Sequence, residues 1–381
     1  MAIGLSIIIG GDTVPTASNK ACLMNGQAGA VFNGVKEVFS STDWTIVNLE
    51  CPLTKQNAHI KKAGPCLKAE PGTIHGLVAA GVKVFSLANN HIMDFGTNGL
   101  KDTLKQINEK GALYSGAGED LLAARKILYL QKESIKVALI SVAEHEFSIA
   151  EEDSPGANPF DPFDTMDDIR EASRAAELVI VLYHGGIEHY PFPSPNLQRV
   201  CRKMVDNGAN YVICQHSHCI GSYERYRDGH IVYGQGNLLF DYLEDELWQT
   251  GLLVEITIEN AVDSINFIPI VRRGGKVDVA DATEKEEILS SFYERSQHIK
   301  DEQYVQKEWL KFARSKEYHY LQRLLGFGKL LRQVDNKLNN FLVRCLFKKK
   351  NYIALYAFLN CEAHLDIVKN FLREEYENGE S

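Results

Sequence analysis

Short runs of β-branched and aliphatic residues recur along the chain as far as about Asp281, and each stops at glycine or a polar side chain. Residues 5–9 run into Gly10, Gly11 and Asp12, 44–49 into Glu50, 82–87 into Asn89, Asn90 and His91, and 137–142 into Glu144 and His145. Further along, 178–183 run into His184, 211–214 into Gln215 and His216, and 231–233 into the turn Gly234-Gln235-Gly236-Asn237. Runs of this length with these boundaries predict buried strands, and helical periodicity over 99–110, 167–176 and 196–207 predicts helices between them. Strand and helix in alternation predict an α/β layered fold. Residues 252–258 and 265–271 read as an antiparallel pair that closes the sheet.

After Asp281 the β signal stops and helical periodicity takes over, so the expected division is an α/β domain over 1–280 and a helical module over 281–381. Within that module, 320–350 combine an apolar stripe with Arg323, Lys329, Arg332, Lys337, Arg344, Lys348, Lys349 and Lys350 against the single acid Asp335. Such a stripe either docks on a neighbouring helix or lies on an anionic lipid surface or polymer. Gly326 and Gly328 weaken a continuous helix through this stretch.

Composition narrows the class. Hydrophobic residues at 45% and charged residues at 24% suit a globular protein with a large core. A net charge of −9 argues against nucleic acid as a partner, because neutralising phosphates needs a basic surface. The eight cysteines form no C-x-x-C pair, which points to free thiols in a reducing compartment. Residues 2–11 lack the basic flank and length of a signal peptide, and no apolar stretch is long enough to span a bilayer. A cytoplasmic protein, at most peripheral to the membrane, is expected.

The strand ends carry the candidate chemistry, as open α/β sheets place it. His216-Ser217-His218 puts two imidazoles on one turn, and Asp12 offers a hard carboxylate after two glycines. Glu50 ends an apolar strand, where an ionised carboxylate needs a cation or a donor. The amide of Asn90 can ligate while His91 stays free to move protons, and Asp94 could orient that imidazole or cap the helix after Gly96. His184 is followed by Gly185 and Gly186, which leave room for a substrate group, and Glu188 and His189 open a proline-rich loop that could line a pocket. Taken singly, each residue also has an ordinary role, as a turn histidine, an N-cap or a surface charge.

Taken in order, the motifs are more specific. Gly11-Asp12, Asn48-Leu49-Glu50, Asn89-Asn90-His91 with Asp94 and Gly96, Gly116-Ala117-Gly118, His184-Gly185-Gly186 with Glu188, His216-Ser217-His218 and 233–237 resemble the CapA/PgsA capsule-synthesis family over roughly 3–272. That family is similar to calcineurin-like metallophosphoesterases and is associated with poly-γ-glutamate capsules. The resemblance implies a four-layer sandwich, two packed mixed sheets flanked by helices, with the C-terminal helices as an extension beyond it. It implies Asp12, Glu50, Asn90, His184, His216 and His218 as metal ligands for Mn, Fe or Zn, with His91 as general acid. Two departures stand out: Val14 occupies the place of a usual ligand histidine, and Glu50 replaces a bridging aspartate. One metal position is therefore expected to be ligand-poor, so one ion, or a second held weakly, is implied. Members of the family also carry an N-terminal membrane anchor; none is expected in residues 1–381.

The functional expectation is a metal-dependent hydrolase or transferase acting on a phosphate ester or acyl phosphate during surface-polymer synthesis. Its partners would be an anionic polymer or phosphorylated precursor, with a membrane-bound synthase or anionic membrane reached through 320–350. Two alternatives are a non-catalytic accessory that binds the polymer, and amide-bond chemistry on poly-γ-glutamate.

Overall fold

The computed structural model describes residues 4–241, 246–259 and 262–378. Its strands, in chain order, are β1 (Gly4–Val14), β2 (Trp44–Leu49), β3 (Val84–Ser86), β4 (Leu113–Ser115), β5 (Ala117–Gly118), β6 (Leu128–Lys132), β7 (Ile135–Ala143), β8 (Gly156–Ala157), β9 (Leu178–His184), β10 (Tyr211–Gln215), β11 (Tyr223–Tyr226), β12 (Gly229–Val232), β13 (Asn237–Phe240), β14 (Thr250–Glu259), β15 (Val262–Arg273) and β16 (Lys276–Val279). One mixed sheet has the order β16-β15-β14-β1-β2-β3-β4, with β13 added to β1, and a second has the order β11-β12-β10-β9-β7-β6. The strands β5 and β8 form a small separate pair.

Alternation along the strands sorts their side chains into layers. Leu5, Ile7 and Ile9 of β1 pack with Leu139, Ile180, Leu182 and Ile213 of the other sheet, so the two sheets meet face to face. Ile8, Val47 and Phe85 point the other way, onto Val31, Phe32, Leu77 and Leu104 of the helices Ala28–Ser40, Ile74–Ala79 and Gly96–Glu109. On the far side, Ile140, Val181 and Val212 meet Ile169, Leu197, Cys201 and Met204 of the helices Asp164–Ala175 and Pro195–Asp206. The result is the expected four-layer arrangement of helices, sheet, sheet and helices. The antiparallel pair also forms as expected, from Thr250 opposite Val271 to Glu259 opposite Val262.

Two compact units divide the chain, Met1–Gln306 and Lys307–Ser381. Asp281 does start a helix, Ala282–His298, whose first turn it caps by accepting from Thr283 and Glu284. That helix belongs to the first unit, because Phe292 is fully buried against Phe267 of β15. The second unit is helical, with Lys329–Lys337, Phe341–Leu346, Lys349–Asn360 and Glu362–Asn378. A helix ends at Leu324 just before Gly326, which takes a left-handed φ of +70°, so the expected weak point is a break. Among the described residues, no helix is long and apolar enough to cross a membrane.

Candidate metal centre

Asp12 lies inside β1 instead of at its end, because β2 pairs with β1 as far as Thr13 and β13 pairs with it from Asp12 to Val14. The pairing slips between Gly10 and Asp12 against β2, and between Asp12 and Thr13 against β13, and such a bulge re-aims a side chain. Gly11 permits it: a Cβ there would collide with the Gly236 carbonyl oxygen. Gly11→Ala should therefore cost about 3 kcal/mol, the upper end of overpacked sites. A melting temperature within error of the parent would show that the backbone can give way there.

The bulge delivers the Asp12 carboxylate to a group of buried polar side chains. Asn48 donates to its Oδ1 at 2.7 Å and the His216 amide to its Oδ2 at 3.1 Å. The Nδ1 of His218 stands 3.3 Å from Oδ2 and that of His184 4.0 Å from Oδ1. Burial alone would raise the Asp12 carboxyl, but the hydrogen bond and charge of His218, the charge of His184 and the Asn48 donor hold it well below the usual carboxylate range.

Glu50, immediately after β2, is fully buried. Among the described residues neither of its oxygens has a hydrogen-bond partner, although its Oε1 lies 3.4 Å from His184 Nε2 and 3.9 Å from His218 Nε2. One ligand atom each from Glu50, His216 and His218 falls within a mutual 4.8 Å, as does one each from Asp12, Glu50 and His184. Glu50 is common to both sets. Asn90 joins them through its Oδ1, 3.1 Å from His184 Nε2. Carboxylate, amide and imidazole donors at this spacing suit a divalent cation.

The histidines are held accordingly. His216 and His218 adopt left-handed φ values of +88° and +52°, conformations that cluster at functional sites when a side chain other than glycine holds them. Burial, with His184 and His218 alongside, pushes the His216 pKa well below its ordinary value, so the ring is neutral, and among the described residues its buried Nδ1 has no hydrogen-bond partner. Burial works the same way on His218, but Glu50, Asp12 and Asn237 outweigh it and raise that pKa to about 9. His218 thus sits between two buried carboxylates, 3.3 Å from Asp12 Oδ2 and 3.9 Å from Glu50 Oε1. Val14 adds no donor, because its side chain is buried in the apolar core with Phe240.

His91 is positioned by Asp94, whose Oδ2 is 2.6 Å from Nδ1 of the ring. The helix Gly96–Glu109 starts with no side-chain cap, so Asp94 serves the imidazole and not the helix. Asp94 accepts further bonds from the Leu67 amide at 2.6 Å and from Lys62 Nζ at 2.6 Å. Lys62, whose side chain is 2% exposed, also donates to the Asn90 carbonyl at 3.1 Å. Among the remaining candidates, Gly185 is buried directly after β9, Glu188 is exposed, and His189 stacks on Trp248 at 5.5 Å. Trp248 in turn lies 4.4 Å from the His218 ring.

Sequence reasoning missed Lys62, Trp248 and the roles of Asn48 and Asn237. Asn237 places its Oδ1 2.8 Å from His218 Nδ1, although it reads as part of a structural turn. Asn48 sits at the end of β2 next to two candidate ligands, a placement that could have marked it. Lys62 and Trp248 come from stretches with no strand-end pattern, and no local signal points to them. Glu146, a weaker candidate whose default reading is a surface charge, accepts from Asn90 Nδ2 at 3.1 Å.

The model for the family described as bacterial capsule synthesis protein PGA_cap matches residues 6–242. The chain is 29% identical over 268 residues to the capsule biosynthesis protein CapA of Bacillus anthracis, covering 68% of this chain and 65% of that one. It is 31% identical over 220 residues to the PGA biosynthesis protein CapA of Bacillus subtilis, covering 56% and 57%. The chain thus spans less than two thirds of the length of these relatives. Among solved structures it is similar to a phosphatase from Mycoplasma pneumoniae, with a TM-score of 0.45 and 15% identity over 75% of this chain and 98% of that one. The matched segment takes in every residue of the cluster from Asp12 to His218 and well over half of the chain, and the protein belongs to the bacterial capsule synthesis PGA_cap family.

Proposed function

We propose that the protein is a metal-dependent hydrolase or transferase of the metallophosphoesterase type, acting on a phosphate ester or acyl phosphate in the synthesis of a poly-γ-glutamate-like surface polymer. The observation that carries this reading is Glu50, a fully buried carboxylate in a nest of imidazoles, neither of whose oxygens has a hydrogen-bond partner among the described residues. An ionised carboxylate there is costly unless a cation compensates it. The relatives named for capsule and PGA biosynthesis supply the polymer class. A phosphorylated precursor or the anionic polymer itself is the ligand in this reading, a polymer synthase the protein partner, and the cytoplasm the place of action.

Asp12, Glu50, Asn90, His184, His216 and His218 would hold the ion, with Mn, Fe and Zn all suited to this donor set. Glu50, shared by the two ligand groups, would serve both ions if two were bound, and with Val14 in an apolar setting one position would be short of a donor. A single ion, or a second held weakly, would follow from that. A bound divalent ion supplies polarisation of a substrate oxygen and a water acidic enough to ionise near neutral pH. The imidazole of His91, fixed through Nδ1 by Asp94, keeps Nε2 for proton transfer to the leaving oxygen. The loop of Gly185, Glu188 and His189 would line the substrate side.

The test is turnover of an aryl phosphate, an aryl phosphodiester and poly-γ-glutamate by the full chain with and without added Mn²⁺. Mn²⁺-dependent cleavage of either phosphate is expected. Cleavage of the polymer alone would assign amide chemistry instead. No turnover of any of the three at full metal occupancy would reject catalysis and leave a binding role.

A further inference from the structure

The unit Lys307–Ser381 has an unusual balance of buried and exposed apolar groups. Among its described residues three hydrophobic side chains are buried, Leu321, Phe327 and Val343, while nineteen large ones are exposed. Apolar surface on that scale marks a contact with something else. The charge says with what. This unit carries fourteen Lys and Arg against nine Asp and Glu, a net of +5, whereas the other 306 residues carry 27 against 41, a net of −14.

The asymmetry sharpens over 320–350, where eight basic residues accompany one acid. That acid, Asp335, is fully buried, accepting from Gln322 Nε2 at 2.9 Å and the Leu342 amide at 2.7 Å. No exposed carboxylate offsets the cations of this stretch. Along Lys329–Lys337 and the residue after it, Leu330, Leu331, Val334 and Leu338 recur at helical spacing on one side and are 41–79% exposed, with Lys329 and Lys337 exposed around them. Phe341 at 56% and Leu346 at 57% continue the apolar surface on the next helix.

We propose that this unit is a membrane-surface module that lies on an anionic bilayer, with its exposed leucines and aromatic rings at the acyl boundary and its lysines and arginines among the headgroup phosphates. An apolar face bordered by cations has the form of an interfacial helix, and among the described residues no helix is long and apolar enough to span. The basic border favours lipid over a docking surface between copies, since two such surfaces would bring like charges together.

Flotation of the full chain tests this. The chain should rise with vesicles of equal parts phosphatidylcholine and phosphatidylglycerol, stay down with phosphatidylcholine alone, and be released as salt is raised. Replacing Lys329, Lys337 and Lys350 together with glutamine should lower partitioning about a hundredfold. Leu330→Asn with Phe341→Asn should lower it too, and both variants should melt as the parent does because the altered side chains are exposed. Absence of flotation, or equal partitioning with both vesicles, would overturn the proposal. So would a chain that is dimeric by light scattering, becomes monomeric in the leucine and phenylalanine variant, and binds neither vesicle.

Discussion

His91→Ala is expected to lower turnover by about 10²–10⁴-fold, the usual worth of a positioned proton donor, while metal content stays within error of the parent. The separation follows from the geometry. Asn90 reaches the ligand group through its own amide oxygen, and the His91 ring faces Asp94, so deleting the ring removes proton transfer and spares the donors. The measurement pairs steady-state kinetics with elemental analysis of the same preparation. Equal losses of metal and of rate would make His91 a ligand, and an unchanged rate would remove it from the chemistry. A substrate with a better leaving group should recover part of the loss, since it needs less protonation.

The second large effect concerns Lys62. Its ammonium and the Asp94 carboxylate form an ion pair that is almost wholly out of water. Removing one partner of such a pair leaves the other charge uncompensated, which costs roughly 3–5 kcal/mol. Lys62→Met should lose stability on that scale in a denaturant titration. The double variant Lys62→Met/Asp94→Asn should recover part of it, because the stranded carboxylate is then gone. A double variant no more stable than Lys62→Met would place the cost in lost packing around the lysine stem. Turnover should fall in the single variant as well, because the same carboxylate orients His91.

Much of the fold was legible because burial dictates composition: strands covered on both faces, such as β2, β9 and β10, are apolar over most of their length. The limits of β1 were not, since β2 pairs with it only as far as Thr13 and Val14 is held by β13, a contact more than two hundred residues away in sequence. The candidate site divides in the same way. Side chains that follow apolar runs could be picked out, because the sheet itself collects them. Lys62 could not, because its place depends on how 51–70, a stretch with no regular periodicity, folds back to Asp94. The reach of the first unit past residue 280 was equally hidden, for the helix Ala282–His298 looks like its C-terminal neighbours until Phe292 is seen against β15.

The left-handed backbone at His216 and His218 bears on how this site should be dissected. Alanine strips the imidazole but also inherits a conformation that β-carbon crowding disfavours by roughly 1–2 kcal/mol. Glycine visits that region without crowding. A weakened alanine variant at either position would therefore mix a lost ligand with a twisted loop, and glycine, which has no side-chain donor and no β-carbon, isolates the first from the second.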